Sequence, residues 1–573
     1  MNTIQGLKYL WKLPACDKPL IGSLAATYNI SYPIIQTLLT RGMNDKETIN
    51  NFLYSTYEKD VAHPSLLKDA DKAVDRILKA IELKEKILIC GDYDVDGITS
   101  SALMMLCLTP LGADINYFLP HRVRDGYGLS VKTIQRAASN NYKLLITVDN
   151  GISAFEPALE AKKHGIDLII TDHHQPHEHV PEAFAIIDPY QKDCLYPYKK
   201  FAGVGVSFKI LSLLYEKMGL AMPEKVYELL LLGTVADVVP LTGENRYWTR
   251  FGLKQVQKTQ SFALTVLKEN ARVTKPTLSS TDIGFFITPQ INALGRLEDA
   301  RDGVKFLIGS NHEHVAHVGK VLQTLNESRK SIEKSILQQI QIDIDNGTIN
   351  VKDGMCIVAA QVGWQPGVIG LVASRLVGAY GKPTILLHLT KDGLAKGSCR
   401  SIPECNMFEA LQSVRDLLES FGGHAAAAGL SLKVEKLPEF KQRLETYLAA
   451  RLTEFDLKQK LRIDAEITLP EATHKFIEDL QYLEPFGCEN GQPIFYLKSV
   501  TLIEPPQLLK DLHVKAKLFA DGIIKPIMFF NRPELIAFFD QVGAQSFDCV
   551  VQVTQNHWNG KTTIELQGFD VSL

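Results

Sequence analysis

A chain of 573 residues is too long for one hydrophobic core, and its length predicts three or four domains. Hydrophobic residues make up 45% and charged residues 22% of the sequence, as in ordinary globular proteins. The net charge of −3 excludes a surface that is basic all over, so any site for a polyanion must be a local groove.

The N-terminal sequence has no continuous apolar core of a signal peptide, and no stretch approaches the ~18 apolar residues of a membrane span. The nine cysteines are scattered and odd in number, without a CxxC pair. These features predict a cytoplasmic protein with reduced thiols and no membrane partner.

Residues 1 to about 80 are predicted to form polar helices. From Lys86 onward, short apolar strands alternate with helices, which predicts a parallel α/β sheet covered on both faces. The strands are expected at 86–90, 114–119, 143–148, 167–170 and 183–187, and helices at 98–108, from 130 and from 153.

The predicted secondary structure of the rest of the chain changes from helical to α/β and then to all-β. Residues 265–345 are predicted to be mainly helical, with a long amphipathic helix from about Asn311 to Asp345. A second α/β pattern from Gly354 contains a strand at 383–388, a turn at 397–401 and a glycine-rich loop at 422–425. Beyond Thr453, short alternating strands and turn signals such as Asn559-Gly560 predict a β-barrel of the oligonucleotide-binding (OB) fold.

Carboxylates and imidazoles follow the predicted strands of the first sheet. Asp92, Asp94 and Asp96 follow the first strand, Asp149 the third, and the run Thr171 to His174 the fourth. The carboxyl ends of parallel strands meet at one edge of a sheet, where sites form. Alternating carboxylates repel one another unless a cation lies among them, and oxygen with imidazole ligands suits a pair of hard divalent cations. The pattern predicts a metal-dependent hydrolase.

Other interpretations of these residues are weaker or remain open. An EF-hand loop that begins at Asp92 would need glutamate at its twelfth position, where Leu103 stands, and a P-loop would need a lysine. Taken alone, Asp149 could belong to a common Asp-Asn-Gly turn. Asp237 could cap a helix, although an acid inside an apolar run is rarely left unpaired.

In their order, four motifs resemble those of the DHH phosphoesterase superfamily: DYDVDG at 92–97, VDNG at 148–151, TDHH at 171–174 and ADVVPL at 236–241. Three later motifs narrow the resemblance to the RecJ family of single-strand-specific 5′→3′ DNA exonucleases: QINALGR at 290–296, KGSCRS at 396–401 and GGHAAAAG at 422–429. The resemblance implies a DHH domain with a parallel sheet, a helical connector, a DHHA1-type α/β domain and a C-terminal OB-fold barrel. The expected boundaries are 1–45, 46–264, 265–345, 346–452 and 453–573.

The resemblance also implies roles for individual residues. Asp94 and Asp149 would hold one Mn²⁺ or Mg²⁺ ion, and Asp149 would bridge to a second ion held with Asp96, His173 and Asp237. His174 would orient or transfer a proton, and His424 would contact the scissile phosphate. The implied substrate-binding residues are Arg122, Asn292, Arg296, Ser398, Arg400, Ser401, Gly422 and Gly423, with Arg296, Ser398, Arg400 and Ser401 around the 5′-terminal phosphate.

The sequence departs from the family pattern at one position. Related enzymes often carry histidine four residues before the first metal-binding aspartate, where this chain has Cys90. A thiolate is a soft ligand that pairs poorly with Mg²⁺ or Mn²⁺, so Asp92 is the expected substitute.

The expected partners are single-stranded DNA and, through the resemblance alone, single-strand-binding protein, with the chain itself a monomer. The competing functions are a small-substrate phosphodiesterase for oligonucleotides or cyclic dinucleotides and a binding scaffold without metals. In the C-terminal region, a local basic stripe at Lys510, Lys515 and Lys517 is expected to bind DNA, because acidic residues outnumber basic ones by 17 to 11 there. The aromatic candidates for base stacking are Phe486, Phe495, Tyr496, Trp558 and Phe569, although most of them are expected to pack in the core.

Overall fold

The structure is a computed structural model that describes residues 3–122, 124–126, 128–558 and 561–573, with only the backbone described for 556–558, 561 and 562. The chain folds into two compact units, each assembled from separate segments. The central unit comprises residues 50–328 and 483–491, and the terminal unit comprises residues 1–49, 329–482 and 492–573.

The segment before Lys86 begins with strands rather than with the predicted helices. Its elements are β1 (Thr3–Gln5), β2 (Leu10–Lys12), α1 (Lys18–Tyr28), α2 (Tyr32–Thr40), α3 (Lys46–Leu53), α4 (Tyr57–Asp60), a 3-10 turn (Pro64–Leu66) and α5 (Ala70–Glu82). The helical prediction is therefore correct from Lys18 onward and wrong for the strands β1 and β2.

The predicted parallel sheet is confirmed in the central unit. Its elements are β3 (Lys86–Cys90), α6 (Val95–Leu108), a 3-10 turn (Thr109–Leu111), β4 (Asp114–Phe118), α7 (Val131–Ser139), β5 (Tyr142–Val148), α8 (Phe155–Lys163), β6 (Asp167–Thr171) and β7 (Ala185–Ile187). The strands lie in the order β4-β3-β5-β6-β7, and every pair is parallel. Apolar side chains cover both faces, since Ile87 and Ile89 join one core while Leu88 and Cys90 join another.

Helices follow this sheet, as predicted. They are α9 (Gly203–Lys217), α10 (Val226–Ala236), α11 (Gly243–Lys258), α12 (Phe262–Asn270), α13 (Ser280–Asp282), a π-helical turn (Ile283–Ile287), α14 (Thr288–Leu297), α15 (Arg301–Ile308) and α16 (His312–Asp345). The 34-residue α16 matches the predicted amphipathic stretch. The division between the two units falls within this helix, at residues 328 and 329.

The second α/β region lies in the terminal unit. It contains β8 (Ile357–Val362), α17 (Pro366–Tyr380), β9 (Thr384–Leu389), β10 (Leu394–Arg400), α18 (Met407–Gln412), a 3-10 turn (Arg415–Leu417), β11 (Leu418–Gly423), β12 (Ala427–Lys433), a 3-10 turn (Val434–Lys436) and α19 (Leu437–Ala449). The sheet order is β11-β12-β10-β9-β8. The turn predicted at 397–401 is wrong, because residues 394–400 form a strand that pairs on both sides. The predicted glycine-rich loop is likewise the end of β11 and a hairpin turn into β12.

The C-terminal region is mainly β-structure, as predicted, but it also contains helices. Its elements are α20 (Glu454–Leu457), β13 (Lys460–Arg462), β14 (Ala465–Glu466), α21 (His474–Gln481), β15 (Phe495–Leu502), β16 (Gln507–Leu509), β17 (His513–Ala520), β18 (Ile523–Phe529), α22 (Leu535–Val542), β19 (Phe547–Trp558) and β20 (Lys561–Ser572). The sheet order is β14-β15-β19-β20-β18-β17-β16, and β15 also pairs with β17. The predicted turn at Asn559-Gly560 lies outside the described residues.

The N-terminal strands belong to this C-terminal region. Strand β2 pairs with β13 in parallel, and the fully buried ring of Trp11 packs against Tyr496 and Val550. The buried Asp570 carboxylate accepts hydrogen bonds from Trp11 Nε1 (2.9 Å) and from the backbone N–H of Tyr9 (2.9 Å). Arg532 Nη2 donates to the same carboxylate at 3.0 Å.

The helices and the cysteines of the described residues bear on membrane spans and disulfide bonds. No helix among the described residues is long and apolar enough to cross a membrane. All nine cysteines are described, and none of them forms a disulfide bond.

Candidate metal centre

The loop between β3 and α6 brings its carboxylates together by folding back on itself. Asp94 is the N-cap of α6 and accepts a hydrogen bond from Gly97 N at 3.1 Å. A Cβ at Gly97 would lie 2.5 Å from Asp92 N, so only glycine permits this close turn. The helix begins at Val95, three residues earlier than predicted, which places the buried Asp96 in its first turn.

The N-terminus of α9 holds Asp96 in place. The N–H of Gly203 donates to Asp96 Oδ2 at 2.6 Å, and that of Val204 donates to Oδ1 at 2.8 Å. These N–H groups have no partner within a helix and carry its positive dipole end, so they favour a negative charge. A Cβ at Gly203 would lie 2.6 Å from Asp149 Cβ, so glycine is also needed for the approach to Asp149.

The sequence prediction missed Gly203 and Val204. The available signal was the sequence AGVG at 202–205, where glycines open a predicted apolar helix.

Asp149 lies at the centre of the cluster in a left-handed backbone conformation, with φ of 62°. This conformation is uncommon for a residue other than glycine, and such strain concentrates at functional sites. His173 Nε2 lies 3.0 Å from Asp149 Oδ1, 3.7 Å from Asp237 Oδ2 and 3.8 Å from Asp96 Oδ2. Asp237 was expected either to cap a helix or to join the metal site. The structure shows it doing both, because it is the C-cap of α10 and also faces the cluster.

The second histidine of the pair has a different environment. His174 Nδ1 lies 2.7 Å from Asp172 Oδ1, and the buried Asp172 also accepts from the backbone N–H of Ile152 and His173. Burial opposes the protonation of His174, but the hydrogen bond and charge of Asp172 outweigh it and raise its pKa to about 9. Burial and the charge of His174 lower the pKa of His173 to about 4. His173 is therefore a neutral imidazole at neutral pH, as a metal ligand must be.

The carboxylates of the cluster are destabilised by one another. Burial and the neighbouring charge of Asp94 raise the pKa of Asp96 to about 7. Burial and nearby carboxylates also raise the pKa values of Asp92, Asp149 and Asp237 well above the usual range. Several carboxylates this close without a positive partner are the arrangement that a bound cation stabilises.

The donor atoms form three groups within which they lie no more than 4.8 Å apart: Asp92, Asp94 and Asp149; Asp96, His173 and Asp237; Asp149, His173 and His174. Asp149 and His173 each belong to two groups. Asp92 Oδ1 is buried and has no hydrogen-bond partner among the described residues, so a ligand position is open there. Carboxylate oxygens with neutral imidazole match Mn²⁺ or Mg²⁺, and the groups fit a pair of them.

Asp92 and Cys90 differ sharply in their surroundings. The Cys90 side chain packs in the apolar core between the sheet and helices that include Ile134 and Ala137. Burial raises the pKa of its thiol, so the thiol stays neutral. Among the described residues, Asp92 lies in a candidate metal group and Cys90 does not.

Three of the predicted substrate-binding residues lie beside this loop in the central unit. The Arg122 guanidinium lies over the Tyr93 ring, with Cζ 4.1 Å from the ring centroid, and Arg122 Nε donates to the carbonyl of Gly295 at 3.1 Å. Asn292 Oδ1 accepts from Val95 N at 3.3 Å. Asn292 thus contacts the metal-binding loop itself, and its substrate-binding role stays a prediction.

Arg296 also belongs to this neighbourhood, because its charge and that of Arg122 act on the Tyr93 hydroxyl. A Cβ at Gly295 would collide with the Tyr93 carbonyl, so this glycine lets α14 pack directly against the loop. Neither Tyr93 nor Gly295 was singled out from the sequence, although both lie inside the motifs that were.

The other predicted substrate-binding residues lie in the terminal unit. Ser398 and Arg400 share one face of β10, where Arg400 Nη1 lies 3.0 Å from Ser398 Oγ and the guanidinium packs against Gly370 of α17. Ser401 does not join them, because its hydroxyl donates to the Cys405 carbonyl at 2.7 Å.

Gly422, Gly423 and His424 are exposed at the β11–β12 hairpin. A Cβ at Gly422 would meet no neighbouring atom, so packing within the protein does not require glycine there. Gly423 has φ of 134°, a conformation that does favour glycine. The roles of all these residues toward a substrate stay predictions.

The C-terminal aromatic candidates are mostly core residues, as expected. Phe495 and Tyr496 are buried, Phe569 packs against the core of Trp11, and Phe486 is half-buried in the central unit. The Trp558 side chain lies outside the described residues. By contrast, Lys515, Lys517 and Phe519 alternate along one exposed face of β17, and Lys510 is also exposed.

This fold and this site together define a DHH-type metallophosphoesterase. Residues 86–234 match the family model described as the DHH family N-terminal domain, and residues 353–450 match the DHHA1 domain. Residues 463–570 match the RecJ OB domain, which supports the predicted OB fold.

Full-length comparisons specify the family. The chain is 33% identical over 569 residues to the single-stranded-DNA-specific exonuclease RecJ of Bacillus subtilis, and this alignment covers 99% of this chain and 71% of that protein. It is 34% identical over 453 residues to the same exonuclease of Escherichia coli, and this alignment covers 75% of this chain and 78% of that protein. The crystal structure of Thermus thermophilus RecJ in complex with Mn²⁺ matches with a TM-score of 0.83 and 26% identity, covering 98% of this chain and 79% of that one. The chain belongs to the RecJ family.

Proposed function

We propose that this chain is a metal-dependent exonuclease that degrades single-stranded DNA from the 5′ end to 5′-mononucleotides in DNA repair and recombination. The observation that carries the proposal is the cluster around Asp149 at the edge of a DHH sheet, in the same chain as a RecJ-type OB region. RecJ relatives named as single-stranded-DNA-specific exonucleases align with most of the chain.

The residues of the cluster have three roles: binding the cations, positioning the ligands, and orienting or protonating the substrate. Two bound cations would polarise the scissile phosphodiester and supply a water of lowered pKa. Asp94 and Asp149, with Asp92, would hold one cation, and Asp96, Asp149, His173 and Asp237 would hold the other. The N–H groups of Gly203 and Val204 fix the Asp96 carboxylate. The Asp172 carboxylate holds His174 and raises its pKa, so His174 can orient the reacting phosphate or transfer a proton to it.

Basic and glycine residues bind the strand. Arg122, positioned by Tyr93 and Gly295, contacts a phosphate next to the cluster, and Arg296 keeps its expected role at the 5′-terminal phosphate. Ser398 and Arg400 bind the 5′-terminal phosphate, and Gly422, Gly423 and His424 contact the scissile phosphate. Ser401 belongs to the same proposed site, although its hydroxyl donates to the Cys405 carbonyl. We further propose that the domains divide at residues 45, 264, 345 and 452.

The cellular setting follows from the same proposal. The enzyme acts as a monomer in the cytoplasm on single-stranded DNA, and single-strand-binding protein delivers that DNA. The exposed face of β17 with Lys515, Lys517 and Phe519 contacts the strand beyond the active site.

The test compares three labelled substrates with purified protein and Mn²⁺: a linear single strand, the same strand in a blunt duplex, and a circular single strand. We expect rapid loss of the linear strand, little loss of the other two, and no reaction with EDTA. Degradation of the circle would indicate an endonuclease. A parallel assay uses a linear and a cyclic dinucleotide, and their hydrolysis with the linear strand left intact would favour a small-substrate phosphodiesterase. DNA binding without hydrolysis would favour a scaffold.

A further inference from the structure

We infer that Phe285, with Phe286 beside it, is a stacking platform for a nucleobase of the DNA strand at the rim of the metal centre. The inference rests on the proposed function and adds a binding site for the bases. Both rings lie on the π-helical turn between α13 and α14, where Phe285 is 74% exposed and Phe286 is 49% exposed. Neither ring pairs with another aromatic ring of the described residues.

The π-helical turn is held rigidly on both sides. On its N-terminal side, Ser279 and Asp282 form a reciprocal capping box, and Lys275 forms an ion pair with Asp282 at 2.6 Å. On its C-terminal side, Gln290 Nε2 donates to the carbonyls of Phe286 and Leu267 at 2.8 and 2.9 Å. Large exposed apolar rings on a fixed backbone mark an interaction site rather than a flexible loop. Single-turn π-helices also occur frequently at functional sites.

The turn touches the elements that carry the metal ligands. A Cβ on Gly284 would lie 3.5 Å from Val235 Cγ1 in α10, the helix that ends at Asp237. Further along the same helical segment, Asn292 accepts from Val95 N in the metal-binding loop. The two aromatic rings therefore lie on a segment that contacts two elements carrying candidate metal ligands, namely helix α10 and the loop before α6.

Strain at the same rim supports a functional surface. Val238, the residue after Asp237, has φ of 60° and is 66% exposed. A β-branched residue in the left-handed region is a conformational outlier, and such outliers persist where function requires them. Val238 thus adds an exposed apolar side chain at the ligand-bearing end of α10, the helix that Gly284 of the π-helical turn approaches.

We assign single-stranded DNA to this platform for two reasons: the spacing along the helix matches a stacked strand, and bases stack on aromatic rings. From Phe285 to Asn292 the helix rises about 10 Å, which is about three nucleotides of a stacked strand. Every base has a π-face, so an aromatic platform binds bases without sequence preference. In an enzyme that cleaves from the 5′ end, the stacked base belongs to the part of the strand on the 3′ side of the scissile bond.

The test uses a 5′-labelled single strand, intact or with abasic residues at nucleotides 2 to 4, and measures kcat/KM for release of the first nucleotide. We expect Phe285→Ala to lower kcat/KM about tenfold on the intact strand and less than about twofold on the abasic strand. The matched control is Leu195→Ala, an exposed apolar side chain of the same unit, which should change neither value.

An equal loss on both strands, or no loss on the intact strand, would overturn the inference. If Phe285→Ala lowers the melting temperature, Phe285→Leu replaces it, because leucine keeps an apolar side chain without a ring. The inference then depends on the loss of kcat/KM on the intact strand relative to the loss on the abasic strand. If the unmodified protein does not degrade the intact strand at all, the proposed function fails instead. A strand with abasic residues about ten nucleotides from the end should behave like the intact one.

Discussion

Asp92 and Cys90 lie two residues apart at the end of β3, and only Asp92 faces the metal cluster. We therefore expect Asp92→Asn to raise the Mn²⁺ concentration for half-maximal activity by about tenfold or more, as loss of a ligand or its support does. Cys90→Ser should change it less than about twofold, because a neutral thiol in the core binds no hard cation. Metal titration of both variants measures the difference, and a larger shift from Cys90→Ser would assign the missing ligand to the thiol.

The raised pKa values of the cluster predict a pH-dependent effect of metal on stability. Burial and Asp94 raise the pKa of Asp96 to about 7, above its unfolded value near 4. Without metal, the folded state therefore binds more protons between about pH 4 and 7 and loses stability as the pH rises through this window. Bound Mn²⁺ removes this loss because it neutralises the carboxylates.

The increase in melting temperature on adding Mn²⁺ to EDTA-treated protein should therefore be larger at pH 8 than at pH 5.5. Asp149→Asn serves as the control and should reduce the increase at both pH values. An equal increase of the unmodified protein at both pH values would mean that the cluster does not titrate in this range.

At the scale of elements, Asp570 ties strand β20 to the N-terminal strands and to Arg532. Asp570→Ala removes the buried carboxylate from Arg532, which keeps its ion pair with Glu534, and leaves the N–H groups of Tyr9 and Trp11 without an acceptor. We expect a cost of about 3–5 kcal/mol of unfolding free energy. The exposed Asp540 in the same unit offers a control, because Asp540→Ala should cost less than about 0.5 kcal/mol. Urea unfolding of both variants measures the difference, and similar midpoints would mean that the N-terminal strands contribute little.

Strand β17 makes a separate prediction about DNA affinity. The double variant Lys515→Glu, Lys517→Glu should weaken binding of a long single strand and reduce its salt dependence by about one unit of slope, because phosphate contacts release counterions. The double variant Lys352→Glu, Lys391→Glu makes the same charge change at exposed positions elsewhere in the terminal unit. Equal losses in the two variants would attribute the effect to net charge alone.

At the scale of the whole molecule, periodicity predicted the central sheet and the long helix α16 because local patterns encode both. The strands from Lys86 and Tyr142 are buried on both faces, and such strands appear as continuous apolar runs. The pairing of β2 with β13 was not predictable, because it joins segments about 450 residues apart that carry no shared local signal.

The site residues that act through their side chains were predictable from the sequence, whereas those that act through their backbone were not. Asp92, Asp94, Asp96, Asp149, His173 and Asp237 were named from their positions and from the resemblance, and the fold brings them together. Gly203 and Val204 act through their N–H groups, which every residue except proline possesses, so residue type did not reveal them. The exposed rings of Phe285 and Phe286 depend on a π-helical turn that no simple apolar period predicts.

The central claim is that the Asp149 cluster cleaves single-stranded DNA from the 5′ end. The most direct measurement follows one oligonucleotide labelled at the 5′ end and, separately, at the 3′ end, with Mn²⁺ and purified protein or its Asp149→Asn variant. We expect the 5′ label to appear at once as a mononucleotide, while the 3′ label stays in progressively shorter strands. The variant should bind the strand and cleave it at less than a few percent of the normal rate. Immediate release of the 3′ label as a mononucleotide, or undiminished cleavage by the variant, would contradict the account.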